Sequence, residues 1–235
     1  MASRQEEKER RRQERLEREQ AEARRAARRK RMQLAFGGVL ALAVIAGVVV
    51  AVLIGTGSGG SGKPAGAKPA SASVKLPQQQ TSDIKAAAKA AGCTLSNPPY
   101  EGATHEQKTF KPSDYKTNPP TSGNHTPDWY QDGIYNPGDT PNLGKLVHPL
   151  EHGRIEVQYK PGTPAHTEQQ LESLLNEQDG GYHMLLFQNT TSMPYAVAAT
   201  AWGHMLGCPR MNDGVFDALR TFRTRYIDKG PERVP

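Results

Sequence analysis

Residues 34–54 are a run of 21 uncharged, mostly apolar residues, and this run limits what the chain can become. As an α-helix with a rise of about 1.5 Å per residue, it would be about 30 Å long, the thickness of a bilayer hydrocarbon core. Six basic residues lie within residues 24–31, whereas the first charged residue after the run is Lys63. Because positive charge stays on the cytoplasmic side, the run predicts a single-pass helix in the cell membrane, with a cytoplasmic N-terminus and an extracytoplasmic remainder.

A cleaved signal peptide is the alternative for this run. Signal peptides have a short basic start and an apolar core of about 7–15 residues. Here the basic segment spans residues 1–31 and the apolar run is longer than such a core. We therefore expect a retained anchor whose partner is the lipid bilayer. Ala43, Gly47 and Ala51 form a row of small residues that is a candidate face for a homodimer.

The net charge of +6 resides in the N-terminal tail. Residues 1–31 contain 13 basic and seven acidic side chains, so the rest of the chain is neutral. The tail is typical of an orientation signal, and it would also approach anionic lipid headgroups. A neutral outer domain gives nucleic acid no electrostatic attraction, so we expect no nucleic-acid partner.

The composition changes twice after the apolar run. Residues 55–80 are rich in Gly, Ser, Pro and Ala, which predicts a flexible linker before a folded domain at 81–235. Residues 94–145 are dense in turn-forming residues and predict long ordered loops. We predict helices at residues 82–92, 167–178 (with a capping box that starts at Thr167) and 212–226, and strands at 154–159, 182–188 and 195–202. Together these elements predict a single α+β domain with a small sheet and a few helices.

Two cysteines, Cys93 and Cys208, both fall in the predicted outer domain. In an oxidising compartment such a pair is expected to form a disulfide. The bond would close a loop of 115 residues, which the chain-entropy model values at about 4–5 kcal/mol at most. A thiolate metal ligand or a redox pair is the alternative.

The seven histidines all lie in the predicted outer domain, and the informative ones fall in its loop-rich half. His148 and His152 are four residues apart, and Pro149 would favour a helical turn that starts there and places both rings on one face. His125, in a TSGNH turn, is a candidate third ligand. We therefore predict a copper or zinc site made by these three imidazoles, with Glu151 as a ligand or as a group that orients one.

Three other interpretations compete with this metal site. The histidines could only tie loops together, in a non-enzymatic interaction module that binds an envelope protein. Residues 148–152 also spell the H-x-x-E-H pattern of zinc peptidases, with Glu151 as the general base, but Gly153 would end the long helix that this chemistry needs. Residues 202–208 contain His204, Met205 and Cys208, which are soft ligands suited to Cu(I). His105, His166 and His183 belong to no metal-ligand spacing pattern of their own. We expect the domain to handle metal without catalytic turnover.

Three blocks of the sequence resemble one known family. They are NPPTSGNH at 118–125, LVHPLEHGRIEVQY at 146–159 and AWG at 201–203. They resemble the signature blocks of an uncharacterised, membrane-anchored bacterial family catalogued as domain of unknown function 3105, and the resemblance covers roughly residues 93–235. It implies a shared site around His125, His148, Glu151 and His152, but no activity. Trp129, Gly133 and Tyr135 also match, and they either line the same pocket or pack under a long loop.

Overall fold

The structure is a computed structural model that describes residues 74–177 and 179–232. These residues form an α+β domain, which confirms the predicted fold class, although its sheet of six strands is larger than expected. The α-helices of the described part are α1 (Ile84–Ala91), α2 (Leu143–Glu151), α3 (Ala165–Asn176) and α4 (Asp213–Tyr226). The strands are β1 (Thr94–Ser96), β2 (Gly133–Ile134), β3 (Ile155–Tyr159), β4 (Met184–Gln188), β5 (Val197–Ala201) and β6 (His204–Cys208).

The predicted tail, membrane span and homodimer face all lie outside the described residues. In the described part, no helix has both the length and the apolar character needed to cross a bilayer. The end of the predicted linker does contact the domain. The amide of Val74 donates to Ser173 Oγ (2.8 Å), and that of Gln80 donates to Asp217 Oδ2 (2.7 Å). The chain therefore enters the domain along α3 and α4.

The sheet is mixed, with strand order β1-β6-β5-β3-β4-β2. The pairs β1-β6, β6-β5 and β5-β3 are antiparallel, whereas β3-β4 and β4-β2 are parallel. The predicted strand at 154–159 corresponds to β3, and all five residues of β3 are buried. Both faces of the sheet are covered, so the polar side chains of Glu156 and Gln158 are buried as well.

Each face of the sheet has its own hydrophobic cluster. The helices α1, α3 and α4 pack on one face against Ile155, Val157 and Leu186. Successive strand residues point to opposite faces, so Leu185 and Phe187 lie on the other face, where they pack against α2 and the long loops. The loop-covered face therefore carries α2, the element in which the metal ligands were predicted.

Local sequence signals explain both ends of α1, and the first cysteine of the disulfide comes immediately after the helix. The Asp83 side chain accepts a hydrogen bond from the Ala86 amide, and Gly92 ends the helix in the left-handed region (φ 69°). Cys93 comes next and forms the predicted disulfide with Cys208, the last residue of β6. The bond thus joins the end of α1 to the end of β6.

The start of α3 differs from the prediction. The capping box at Thr167 is wrong, because the helix begins at Ala165 and Pro164 takes the cap position. The carbonyl of Pro164 already accepts from the Glu168 amide. Proline suits this position because its φ is fixed and an amide donor is not needed at a helix start. Since the helix begins at Ala165, Thr167 falls within the first turn.

Candidate metal centre

Helix α2 supplies His148 and Glu151, and it starts earlier than predicted. The Asn142 side chain accepts from the Lys145 amide and caps the helix. Pro149 therefore lies in the last turn and not at the first position. A proline there removes the amide that would bond the Lys145 carbonyl, and the amide of Tyr130 donates to that carbonyl instead (3.2 Å). A neighbouring loop thus compensates for the proline.

Helix α2 lies close to the loop around Thr126, whose backbone orients His148. Gly144 faces this loop, and a Cβ there would be 2.6 Å from the Phe110 ring and 3.1 Å from the Thr126 amide nitrogen. The absence of a side chain lets α2 approach the backbone of Thr126. The Thr126 carbonyl lies 2.6 Å from His148 Nδ1.

His105 and His125 come from the long loops and pair with each other through the backbone. They form a parallel β-bridge, in which the Glu106 amide donates to the His125 carbonyl (2.8 Å) and the His125 amide donates to the Thr104 carbonyl (3.1 Å). These bonds bring together two chain segments 20 residues apart. Both imidazole rings consequently face the end of α2.

The cluster contains His105, His125, His148 and Glu151, whose ligand atoms all lie within 4.8 Å of one another. Glu151 Oε2 is 3.1 Å from His125 Nε2 and 3.5 Å from His105 Nε2. His125, His148 and Glu151 are buried, whereas His105 is exposed on the solvent side. One side of the cluster is therefore open to solvent, and its other side is closed.

The two buried imidazoles are held in one orientation. His125 Nδ1 lies 2.8 Å from the Gly123 carbonyl, and His148 Nδ1 lies 2.6 Å from that of Thr126. Because a carbonyl oxygen only accepts, each Nδ1 carries the proton and each neutral ring turns the lone pair of Nε2 into the cluster. A backbone acceptor on the second nitrogen is how proteins orient metal-binding histidines.

Burial keeps these rings neutral. It lowers the pKa values of His125 and His148 and lowers that of His152 to about 4. Burial also raises the pKa of Glu151, with a smaller contribution from the nearby carboxylate of Glu232. A metal ion needs neutral imidazoles, which burial provides, and an ionised Glu151, which the charge of the ion itself would favour against the effect of burial.

Two buried atoms in the cluster have no hydrogen-bond partner, namely His125 Nε2 and Glu151 Oε2. They are 3.1 Å apart. His125 Nε2 is an acceptor because Nδ1 carries the proton, and Glu151 Oε2 is an acceptor as well when Glu151 is ionised. Buried polar atoms are normally satisfied, and an unsatisfied one costs about 1–3 kcal/mol. A cation between them would satisfy both atoms.

His152 lies at the edge of the cluster and outside the group of four. It is the residue that follows α2, and its Nε2 is 3.0 Å from His148 Nε2. The same atom is 3.4 Å from Glu232 Oε2. Glu232 belongs to residues 227–232, whose backbone packs on the end of α2 through the bond from the Glu232 amide to the Glu151 carbonyl (3.0 Å).

Two tryptophans pack against the imidazoles. The Trp129 ring lies 4.8 Å from the rings of both His148 and His152, and the Trp202 ring lies 6.0 Å from that of His125. Of the two alternatives given for these residues, Trp129 thus contacts the imidazoles, whereas Tyr135 packs in the hydrophobic cluster of the loop-covered face. The rings restrict the space around the imidazoles on two sides.

Sequence reasoning and structure agree on part of the cluster. Of the predicted site residues, His125, His148 and Glu151 are brought together, and His152 lies beside them. His105 was missed, because the signal that places it is the pairing of its backbone with that of His125. No local sequence pattern encodes such a pairing.

The remaining histidines make other contacts. His183 Nδ1 lies 2.6 Å from Asp228 Oδ1, and His166 is exposed on α3. In the predicted soft-ligand segment, His204 contacts Asn97 through Nδ1 (2.6 Å) and stacks on Tyr226. Cys208 of that segment is in the disulfide. The segment therefore does not join the cluster.

One comparison with known proteins identifies a family. The family model described as Protein of unknown function (DUF3105) matches residues 105–234, more than half of the chain. The matched part begins at His105 and contains all four residues of the cluster. No curated protein and no solved structure matches the chain. The chain belongs to the family described as Protein of unknown function (DUF3105).

Proposed function

We propose that this domain binds a transition metal ion, zinc or copper, through His105, His125, His148 and Glu151. The observation that carries the proposal is the pair of buried atoms without a hydrogen-bond partner, His125 Nε2 and Glu151 Oε2. They face each other at 3.1 Å, and the nearby His105 and His148 add further nitrogen donors. Such a set of donors is stable only around a cation or a proton.

The chemistry of the donors favours particular ions. Three imidazoles and one carboxylate suit Zn²⁺ and Cu²⁺, whereas Cu(I) prefers sulfur ligands. The four residues of the cluster offer only nitrogen and oxygen, and both cysteines are paired in the disulfide. We therefore propose a divalent ion, with Glu151 as a ligand.

The sequence supports a location for this activity. The basic tail and the apolar run of residues 34–54 support a single-pass anchor, and the disulfide of the domain is compatible with an oxidising compartment. We propose that the domain is held at the outer face of the cell membrane. There it would store or hand over metal without turnover, in contact with the bilayer and with an envelope protein as partner.

The test is the metal content of the full chain purified in detergent, stripped with a chelator and reloaded with Zn²⁺ or Cu²⁺. We expect the wild type to keep at least one equivalent after removal of free ion, as measured by mass spectrometry. His125→Ala should retain less metal than the wild type, because this variant removes a buried ligand atom that has no other partner.

His166→Ala is the matched control, since His166 is an exposed histidine of α3 outside the cluster. This variant should bind as the wild type does. Circular dichroism of each variant verifies the fold. A wild-type chain that stays empty with both ions, or a correctly folded His125→Ala that binds normally, contradicts the proposal.

A further inference from the structure

We propose that the centre holds two metal ions, the second of them on His148, His152 and Glu232. This inference rests on the function proposed above and extends its ligand set. With two ions bound, His105, His125 and Glu151 hold the first ion, and His148 serves the second. Six donors in two sets of three thus replace a single set of four.

The distances between donors favour this division. Two ligands of a tetrahedral ion at about 2.1 Å are about 3.4 Å apart, and no two ligands of one such ion exceed about 4.2 Å. In the first set, Glu151 Oε2 lies 3.1 and 3.5 Å from the nitrogens of His125 and His105. In the second set, His152 Nε2 lies 3.0 Å from His148 Nε2 and 3.4 Å from Glu232 Oε2. All four of these distances fit two ligands of one ion.

The orientation of His148 also fits the second set. Its Nδ1 donates to the Thr126 carbonyl, so the lone pair of Nε2 is directed toward His152 Nε2, 3.0 Å away. His152 is buried, and Trp129 packs against its ring. When the lone pair of His152 Nε2 also faces the space between the two rings, two nitrogens and the Glu232 carboxylate surround one position.

Glu232 is positioned by its own backbone. Its amide donates to the Glu151 carbonyl (3.0 Å), and the Asp228 amide donates to the Gly153 carbonyl (2.9 Å). Gly153 has a φ of 81°, and a Cβ on it would lie 2.8 Å from Asp228 Cα, so only glycine permits this contact. The Glu232 carboxylate is therefore held at the end of α2, with its side chain 48% accessible to solvent.

The alternative uses the same atoms without an ion. His152 would donate its Nε2 proton to His148, and Glu232 would contact the outer side of His152. In that arrangement the centre binds one ion, and Glu232 does not affect the number of ions bound per chain. Counting ions therefore separates the two arrangements.

The experiment is a titration of the metal-free full chain in detergent with Zn²⁺, followed by mass spectrometry of the retained metal. We expect two equivalents in the wild type and one in both Glu232→Gln and His152→Ala. Glu168→Gln, a carboxyl-to-amide change on α3 outside the cluster, should keep two. Because Glu232 is half-exposed, its variant tests the inference even where His152→Ala fails to fold.

Cu²⁺ provides a second readout. Two Cu²⁺ ions about 3.5–4 Å apart couple magnetically, so the wild type should show a broadened electron paramagnetic resonance spectrum, and Glu232→Gln should show that of an isolated ion. One equivalent in the wild type, or two in Glu232→Gln, overturns this inference and leaves the proposed function standing. No bound metal in the wild type overturns both.

Discussion

Glu156 places a carboxyl group in the middle of the sheet. Its side chain is buried on β3, where its Oε2 accepts from Gln158 Nε2 (3.2 Å) and Thr200 Oγ1 (3.4 Å). Its Oε1 has no hydrogen-bond partner in the described part of the chain. Burial raises the pKa of Glu156 well above its ordinary value, because the charged form loses its hydration.

This pKa shift predicts how stability depends on pH. A carboxyl with a raised pKa binds more protons in the folded than in the unfolded protein, so its contribution to stability falls as pH rises above about 4.5. Glu156→Gln removes the charge. At pH 8 we expect the variant to be more stable than the wild type by about 1–3 kcal/mol, and at pH 5 the difference should shrink.

Thermal denaturation with a chelator present measures this difference. The melting temperature should change by roughly 2–4 °C per kcal/mol for a domain of this size. Glu168→Gln controls for the loss of a partly exposed carboxyl. An advantage of Glu156→Gln that is equal at both pH values would show that Glu156 does not carry the pH dependence.

Sequence patterns located site residues where the spacing between those residues was local. His148 was found because it lies four residues before His152, a spacing that returns to the same face of a helix, and Glu151 was found because it is adjacent to His152. His105 could not be found, because its position depends on backbone pairing with His125. Glu232 depends likewise on a contact with Glu151, 81 residues earlier in the chain.

At the scale of elements, runs of apolar residues were good predictors of strands. The runs at 182–188 and 195–202 correspond to β4 and β5. β6 was missed, because its mixture of His, Met, Gly and Cys was interpreted as ligands and not as a strand. Its partners, β1 and β5, supply the pairing that makes it a strand. That information is not local to the sequence of β6.

The disulfide joins two of these elements and should contribute measurably to stability. It closes a loop of 115 residues, so its removal should cost up to about 4–5 kcal/mol in the free energy of unfolding. We expect the double variant Cys93→Ser/Cys208→Ser to melt well below the oxidised wild type. Urea denaturation followed by circular dichroism measures the difference.

Reduced wild type is the control for this pair of substitutions. It should unfold at nearly the same urea concentration as the double variant, because both lack the cross-link. Equal stability of the oxidised wild type and the double variant would mean that the bond does not constrain the unfolded chain.

For the molecule as a whole, the sequence predicted the composition of the fold but not its arrangement. The α+β class follows from local periodicity, and the disulfide was expected from the predicted compartment. The strand order β1-β6-β5-β3-β4-β2 depends on pairing between distant segments, which no local pattern contains. The cluster shares this dependence, since its ligands come from two loops and one helix.

Metal binding should therefore stabilise the whole domain. The ligands converge only in the folded state, so an ion at 100 times its dissociation constant adds about 2.7 kcal/mol to the free energy of unfolding. We expect Zn²⁺ to raise the melting temperature of the metal-free chain and a chelator to reverse the change. Differential scanning calorimetry measures this shift.

His125→Ala and His166→Ala give the comparison for this effect. The first variant should show a smaller shift with Zn²⁺, because it lacks a ligand of the cluster, and the second should behave as the wild type does. A shift of equal size in His125→Ala would assign the stabilisation to a different part of the protein.

The position of the disulfide has a mechanical consequence. His105, His125, His148 and Glu151 all lie between Cys93 and Cys208 in the sequence. When the chain is pulled from its two ends, the tension at Cys93 passes through the sulfur–sulfur bond to Cys208, and the enclosed loop cannot be extended. A domain tethered at one end and pulled at the other would therefore keep these four residues out of the path of the force.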